Sequence, residues 1–194
     1  MSMPLDAEES RSDDALLALY GQGDRLAARV LALRLTPVAL RVAQRMLGDP
    51  AEAEDVAQEA MLRLWRAAPG WQPGAAKVTT WLYRVVVNLA TDRLRRRRTV
   101  ALDDAPEPED GRPGALAGLI EADRAAALQA ALMVLPERQR EAVVLRHLEG
   151  LANPEIAAVM GVGIEAVESL VARGKRGLVT ALAARRGELG YDGD

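Results

Sequence analysis

The chain has 194 residues, a net charge of −3 and 49% hydrophobic residues, but only 3% aromatic residues and no phenylalanine. With no cysteine and a single histidine, His147, it offers no disulfide, no thiolate metal site and little means of acid–base catalysis. No apolar run approaches the roughly 20 residues that span a bilayer, and the acidic N-terminal stretch is unlike a secretory signal. We therefore expect a cytoplasmic all-α protein with no catalytic residue, no cofactor and no membrane insertion.

Helical periodicity begins near the N-terminus. A short helix is predicted over 11–23 and a longer one over 25–47, bent or broken at Pro37 and closed by Gly48. A third helix follows to about residue 68. Its start carries Asp49 as N-cap, Pro50 in the first helical position and a capping-box carboxylate on Glu52.

After a loop rich in proline and glycine, a fourth helix is predicted to end at Arg98. Thr79 or Thr80 is the expected N-cap. The expected inward residues are Trp81, Val85 and Leu89, with Leu94 as a further candidate.

Residues 99–120 differ in kind from the flanking segments, since they combine prolines, glycines and many acids. This composition predicts a flexible acidic linker between two small helical domains, at 11–98 and 121–186. The acids of the linker could also cover basic surfaces of the free protein and reduce its DNA binding; this hypothesis rests on charge pattern alone.

The end of the second domain predicts a helix-turn-helix. Asn153 is expected to cap a short helix, the segment 161–163 forms the turn, and a last helix runs from Ile164 to about Arg185. A plain helical hairpin fits the pattern about as well. The basic residues Lys175 and Arg176 favour the DNA-reading alternative, because they can meet phosphates.

Two charged faces in the first domain point to partners. The segment 93–98 is rich in arginine, and such crowded cations repel one another unless an anion such as phosphate is present. On the third helix, polar residues surround Leu62 at helical spacing, which favours a protein contact over an ordinary solvated face. A carboxylate-bridged metal site is a weaker alternative there, because the remaining ligands are missing.

Four blocks occur in the order GDPAEAEDVAQEAMLRLWRA, TTWLYRVVVNLATDRLRRRR, LPERQREAVVLRHLEGL and NPEIAAVMGVGIEAVESLVARGKRGL, with the acidic linker after the second. Together they resemble bacterial RNA polymerase sigma factors of the extracytoplasmic-function (ECF) group. The resemblance covers roughly 13–186. It implies a promoter-specificity subunit with core RNA polymerase, promoter DNA and an anti-sigma factor as partners.

The resemblance also implies roles for individual residues. The first domain would correspond to sigma region 2, which docks on the polymerase clamp and opens the downstream promoter element. Polymerase contact is implied for Asp55, Gln58, Glu59, Arg63 and Trp65. Downstream-element contact is implied for Trp71, Lys77, Arg84, Asn88, Asp92 and Arg93.

The second domain would correspond to sigma region 4, which reads the upstream element. The implied contact residues, with the two basic residues that follow them, are Asn153, Glu155, Glu165, Ala166, Glu168, Ser169, Ala172, Arg173, Lys175 and Arg176. Family members often carry Gly-Thr-Val-Lys-Ser-Arg where this chain has Glu-Ala-Val-Glu-Ser-Leu at 165–170. We therefore expect a different upstream sequence preference.

Two other classes remain open at this point. A stand-alone helix-turn-helix regulator would bind duplex DNA without polymerase and would need a dimerising surface. A metal-dependent helical enzyme would need ligands that the sequence does not supply.

Overall fold

A computed structural model describes residues 11–72, 74, 77–101 and 116–183. These residues form helices and no strand. The helices are α1 (Asp13–Gly21), α2 (Arg25–Leu47), α3 (Pro50–Ala67), α4 (Val78–Ala101), α5 (Leu116–Val134), α6 (Glu137–Val143), α7 (Asn153–Met160) and α8 (Ile164–Ala183). We call 11–101 the N-terminal module and 116–183 the C-terminal module. The all-α prediction is confirmed.

The predicted start of α3 and end of α2 are confirmed. Gly48 adopts the left-handed conformation, with a φ of 72°, and ends α2. The Asp49 carboxylate accepts a hydrogen bond from the backbone N–H of Glu52 at 3.0 Å and caps α3. Pro37 lies within α2 without ending it. Glu52 does not complete a capping box: its carboxylate instead accepts from Arg97 at 2.9 Å.

The prediction for α4 was wrong in its cap, and its inward face was partly correct, since the predicted residues pack against the core without being its most buried positions. The helix begins at Val78, before either threonine, and the Asp14 carboxylate of α1 accepts from the Val78 N–H at 3.1 Å. The buried residues are Val78, Leu82, Val86, Val87 and Ala90, whereas Trp81, Val85 and Leu89 are half-buried. The whole apolar stripe is thus displaced by one position, because α4 packs against both α2 and α3.

The structure also differs from the sequence prediction near the linker. Helix continues through Thr99–Ala101 and resumes at Leu116, where irregular chain was expected. Residues 102–115, which include all the acids of the predicted linker, lie outside the described residues, and so does the hypothesis that these acids cover basic surfaces.

In the C-terminal module, α6 continues as a π-helical turn at Val144–Leu148. The start of α7 corrects the sequence prediction, since the N-cap position is Ala152 and Asn153 is the first helical residue. The Ala152 N–H donates to the Glu155 carboxylate at 3.0 Å, so that Glu155 satisfies this helix start. Gly161, with a φ of 65°, ends α7 in the left-handed conformation.

A buried arginine fastens the C-terminal module. Arg140 on α6 is 7% exposed, and its guanidinium donates to the carbonyl oxygens of Leu132, Met133 and Leu135 at the end of α5. It also donates to the Met46 carbonyl oxygen of α2 at 2.6 Å. Burial lowers the pKa of Arg140. One guanidinium therefore satisfies orphan carbonyls of two helix ends, one in each module.

Close packing of α8 depends on a glycine that the sequence analysis did not single out. A Cβ on Gly174 would lie 2.5 Å from a Val143 methyl carbon and 2.9 Å from the Gln139 carbonyl oxygen. A Cβ on Gly177, in the same helix, would meet a Leu135 methyl carbon at 2.7 Å. The first clash involves the α6 backbone, while the second involves the end of a flexible side chain.

Within the described residues, no helix is long and apolar enough to cross a membrane.

We predict that Gly174→Ala lowers the free energy of unfolding by about 1–3 kcal/mol. Alanine gains up to about 1 kcal/mol of helix propensity, but the backbone of α6 cannot yield to the new methyl group. Gly177→Ala is the matched control, and we expect it to be neutral or slightly stabilising. Urea unfolding of both variants checks this. Equal stability of the two variants would contradict the proposed role of Gly174.

A second prediction concerns Glu141, which is 2% exposed and accepts from Arg138 at 3.1 Å. Burial raises the pKa of Glu141 from 4.5 to about 7, and the nearby Arg138 charge opposes this only partly. The folded state therefore binds this proton more tightly than the unfolded state between these pH values. The contribution of Glu141 to the free energy of unfolding is therefore most favourable at low pH. It declines by up to about 3 kcal/mol as the pH rises from 4.5 through 7.

Glu141→Gln should remove that decline, so the difference in free energy of unfolding between variant and wild type should change from pH 5 to pH 8. Urea titrations at several pH values measure it, with Glu54→Gln on exposed α3 surface as the control. Parallel pH curves for wild type and Glu141→Gln would refute the assignment.

Candidate functional site

One exposed face of α3 carries most of the residues that the sequence associates with polymerase. The side chains of Asp55, Gln58 and Arg63 are exposed, and Leu62 is 48% exposed. Glu59 is half-buried and accepts from Arg63 at 2.8 Å, and this bond lowers the pKa of Glu59. We call this the acidic α3 face. An exposed leucine among carboxylates suits a protein contact.

Trp65 follows Leu62 by one turn of α3 and is less exposed than most of that face. Its indole is half-buried and meets the Tyr20 ring edge-on, with 4.9 Å between the ring centroids. The structure therefore gives Trp65 a packing contact between α3 and α1.

Each carboxylate of the metal-site alternative is bonded to an arginine. Glu52 accepts from Arg97, Asp55 from Arg93 and Glu59 from Arg63. In the described part of the chain, no group of three or more His, Cys, Asp or Glu residues is placed to hold a metal ion.

Asp55 connects the acidic α3 face to α4. Both terminal nitrogens of Arg93 donate to its Oδ2 at 3.2 Å, and the pair is largely exposed. Such a surface pair contributes under about 1 kcal/mol. One residue expected to meet polymerase and one expected to meet DNA are therefore in contact with each other.

The outer face of α4 carries a row of accessible polar residues. Arg84, Asn88 and Asp92 are exposed and follow one another at four-residue spacing, which aligns them along the helix. Trp71 and Lys77 lie just before this helix. Trp71 is half-buried, and its indole meets Trp81 edge-on at 6.1 Å between centroids. The Lys77 ammonium group donates to Glu155 at 3.0 Å.

The arginine run of α4 is mostly compensated within the protein. Arg97 pairs with Glu52 and Asp49, Arg98 with Glu137, and Arg95 lies 3.8 Å from Asp92. The inference that these arginines need phosphate because they repel one another was therefore incomplete. Apart from Asp92, their partners are distant in sequence, so local spacing could not reveal them.

The helix-turn-helix is formed as expected. Ile156 and Met160 of α7 are buried with Val167 of α8, and Ala157, Leu170 and Val171 pack against them. The opposite side of α8 is exposed, and it carries Glu165, Ala166, Glu168, Ser169, Ala172, Arg173, Lys175 and Arg176. We call this the α8 outer face. Asn153 lies beside it, with its amide nitrogen 3.5 Å from the Glu168 carboxylate.

His147 lies in the π-helical turn that continues α6. It lies near Lys175 between α6 and α8, and burial together with the Lys175 and Arg146 charges lowers its pKa.

A site that the sequence analysis missed lies where the two modules meet. The Glu149 carboxylate is 1% exposed and accepts two hydrogen bonds from Arg41, at 2.8 and 2.6 Å. The Tyr83 hydroxyl donates to the same carboxylate at 3.0 Å, and burial raises the pKa of Tyr83. Arg41 precedes Glu149 by 108 residues, and no local pattern marks either one.

Comparison with known proteins identifies the chain. Residues 31–100 match the Sigma-70 region 2 family, and residues 125–178 match Sigma-70, region 4. The ECF RNA polymerase sigma factor SigM of Mycobacterium tuberculosis is 36% identical over 89% of this chain and 85% of its own length. The chain belongs to the ECF sigma factors. It is therefore a transcription initiation factor, and its partners are RNA polymerase and promoter DNA.

Two further similarities agree with this family. SigE of Mycolicibacterium smegmatis, also an ECF RNA polymerase sigma factor, is 37% identical over 76% of this chain, and the match spans 58% of SigE. The structure of CnrH in complex with the cytosolic domain of CnrY superposes with a TM-score of 0.67 at 29% identity, over 90% of this chain and 99% of CnrH.

The α8 outer face of this sigma factor leads to a prediction. Glu165 and Glu168 are exposed beside the basic residues, so their charges oppose phosphate. The double change Glu165→Gln and Glu168→Gln should raise affinity for duplex DNA of random sequence roughly two- to tenfold at low salt, and less at high salt. Fluorescence anisotropy with the full chain measures this.

The matched control removes two carboxylates elsewhere, as Glu54→Gln with Asp123→Asn on exposed helix surface. If the α8 variant binds no better than this control, the two glutamates do not face DNA. A loss of affinity would instead indicate that they accept hydrogen bonds from base amino groups such as cytosine N4.

Proposed function

We propose that this ECF sigma factor divides its work between the domains predicted at 11–98 and 121–186, with 99–120 as the linker. The N-terminal domain binds core RNA polymerase and opens the downstream element, and the C-terminal domain reads the upstream element. The observation that carries the proposal is the separation of three accessible surfaces on one chain. These are the acidic α3 face, the outer face of α4 and the α8 outer face.

Polymerase binding is assigned to the acidic α3 face, through Asp55, Gln58, Glu59 and Arg63. Support comes from exposure together with packing: the opposite side of α3 is buried against α2 and α4, so this face is the one open to a partner. Trp65 supports it indirectly, by fixing α3 against α1.

Downstream-element contact is assigned to Arg84, Asn88, Asp92 and Arg93 on α4, with Trp71 and Lys77 before it. Polar side chains aligned on one helix face can follow a displaced strand, and a half-buried indole offers a stacking surface for an unpaired base. Upstream contact is assigned to the ten residues of Asn153, Glu155 and the α8 outer face. Its cations position the helix on phosphates, while Ser169 and the glutamates face base edges.

The remaining assignments follow from this role. Polymerase supplies most of the promoter affinity, which suits a chain of net charge −3. An anti-sigma factor holds the protein inactive, as the family resemblance implies. The protein catalyses no reaction of its own, acts in the cytoplasm where transcription takes place, and needs no cofactor.

The stand-alone regulator is not favoured. A regulator that acts without polymerase would not account for the match to Sigma-70 region 2 or for the exposed acidic α3 face.

We predict that Asp55→Arg with Glu59→Arg abolishes retention on core RNA polymerase, because the face becomes basic. Asp55 also bonds Arg93, so a second variant, Gln58→Arg, tests the face without disturbing an ion pair. We expect it to weaken retention at least tenfold, since a buried unpaired charge costs more than about 1.4 kcal/mol. Co-purification with tagged core enzyme measures both.

Asp123→Arg on exposed α5 surface makes the same charge change as Asp55→Arg and should be retained normally. Normal retention of Gln58→Arg would move the polymerase contact away from α3.

A further inference from the structure

The contact between the modules is built from complementary charges. Acids of the C-terminal module meet bases of the N-terminal module in three ion pairs, Glu149 with Arg41, Glu155 with Lys77, and Glu137 with Arg98. Two of these bases, Lys77 and Arg98, belong to the segments where DNA contact is expected. The two modules also pack closely at Gly48 of the N-terminal module. A Cβ added there would lie 2.8 Å from the sulfur of Met133 in the C-terminal module.

Glu149 is the centre of this interface. Its buried carboxylate accepts three hydrogen bonds, two from Arg41 and one from Tyr83. A buried carboxylate remains ionised only when hydrogen bonds of this kind replace the water that would otherwise solvate it. The Lys77–Glu155 pair is more exposed and contributes less.

From these contacts we infer that the free protein closes on itself, and that the closed contact competes with the downstream promoter strand for Lys77. Glu155 and Lys77 belong to the expected upstream and downstream contact sets, respectively, and in the closed form they bind each other. Tyr83, which precedes the expected contact residue Arg84, is held by its hydroxyl against Glu149 at 3.0 Å. The inference rests on the proposed function for its biological meaning, but the closure itself does not.

Closure leaves the other surfaces accessible. Asp55, Gln58 and Leu62 remain exposed, as do Glu165 and Ser169 on α8. Polymerase can therefore bind the acidic α3 face of the closed protein, and the modules must then separate before the downstream strand enters. Closure therefore hinders binding of the DNA strand and does not hinder the first contact with polymerase.

Arg41→Glu tests this most directly, because it places a second carboxylate against buried Glu149, while the Arg41 side chain itself is 48% exposed. Since the chain has no cysteine, Leu33→Cys and Val179→Cys give two unique dye sites on exposed surface, one in each module. Energy transfer between the dyes reports closure without reference to function. Arg29→Glu, exposed on the same helix, is the matched charge control.

We expect Arg41→Glu to lower the transfer efficiency and to raise the affinity of the free full-length protein for a labelled single-stranded DNA of random sequence. If about nine molecules in ten are closed, the gain over Arg29→Glu is about tenfold. The charge-swapped pair Arg41→Glu with Glu149→Arg should restore both values. Circular dichroism verifies helix content, and Glu149→Gln provides an independent opening variant.

Equal transfer in Arg41→Glu, Glu149→Gln and Arg29→Glu would overturn the closure. Lower transfer with no gain in DNA affinity would keep the closure and overturn its competition with the strand. Run-off transcription by wild-type protein with core polymerase is scored separately. Its failure would count against the proposed function, while the energy-transfer result would still decide the closure.

Discussion

Burial of one stripe on each helix is the constraint from which the accessible surfaces follow. In α3, Ala53, Val56, Ala60 and Leu64 are withdrawn from water against α2 and α4, which places Asp55, Gln58 and Leu62 on the outside. The same holds for α8, where burial of Val167 against α7 turns Glu165 and Glu168 outward. A polar residue on these helices therefore acquires a role through the packing of its apolar neighbours.

Charge is distributed so that an acidic chain can work on a polyanion. The arginines at the end of α4 are held by carboxylates of α3 and α6, and those of the α8 outer face stand beside two glutamates. Such a protein has little affinity for DNA at large, because its cations are already engaged or offset. On the proposed function, specific binding then depends on polymerase to bring the right surface to the right strand.

Local signals in the sequence were sufficient for part of this structure. Asp49 set the start of α3 through its carboxylate, whereas Gly48 set the end of α2, and Gly161 the turn before α8, through the left-handed backbone that glycine permits. The stripe of α4 was predicted one position away from the real one, because consecutive apolar residues such as Val85, Val86 and Val87 leave the facing ambiguous until a neighbour packs. The ion pairs of Arg97 and Arg98 in α4 and the contact at Glu149 connect residues that are far apart in sequence. Helical periodicity, which is a local pattern, cannot predict such contacts. The roles of individual residues at polymerase and DNA came from family resemblance, and the structure adds only which of them are accessible.

Transcription from a defined template tests the central claim most directly. Core RNA polymerase free of other sigma factors is incubated with this protein and a library of duplexes that vary across the promoter region, and transcripts are sequenced from their first nucleotide. The account predicts initiation at fixed start sites, on templates enriched for two short elements separated by a constant spacing. Absence of any transcript above that of core enzyme alone, or initiation with no enriched element, would contradict it.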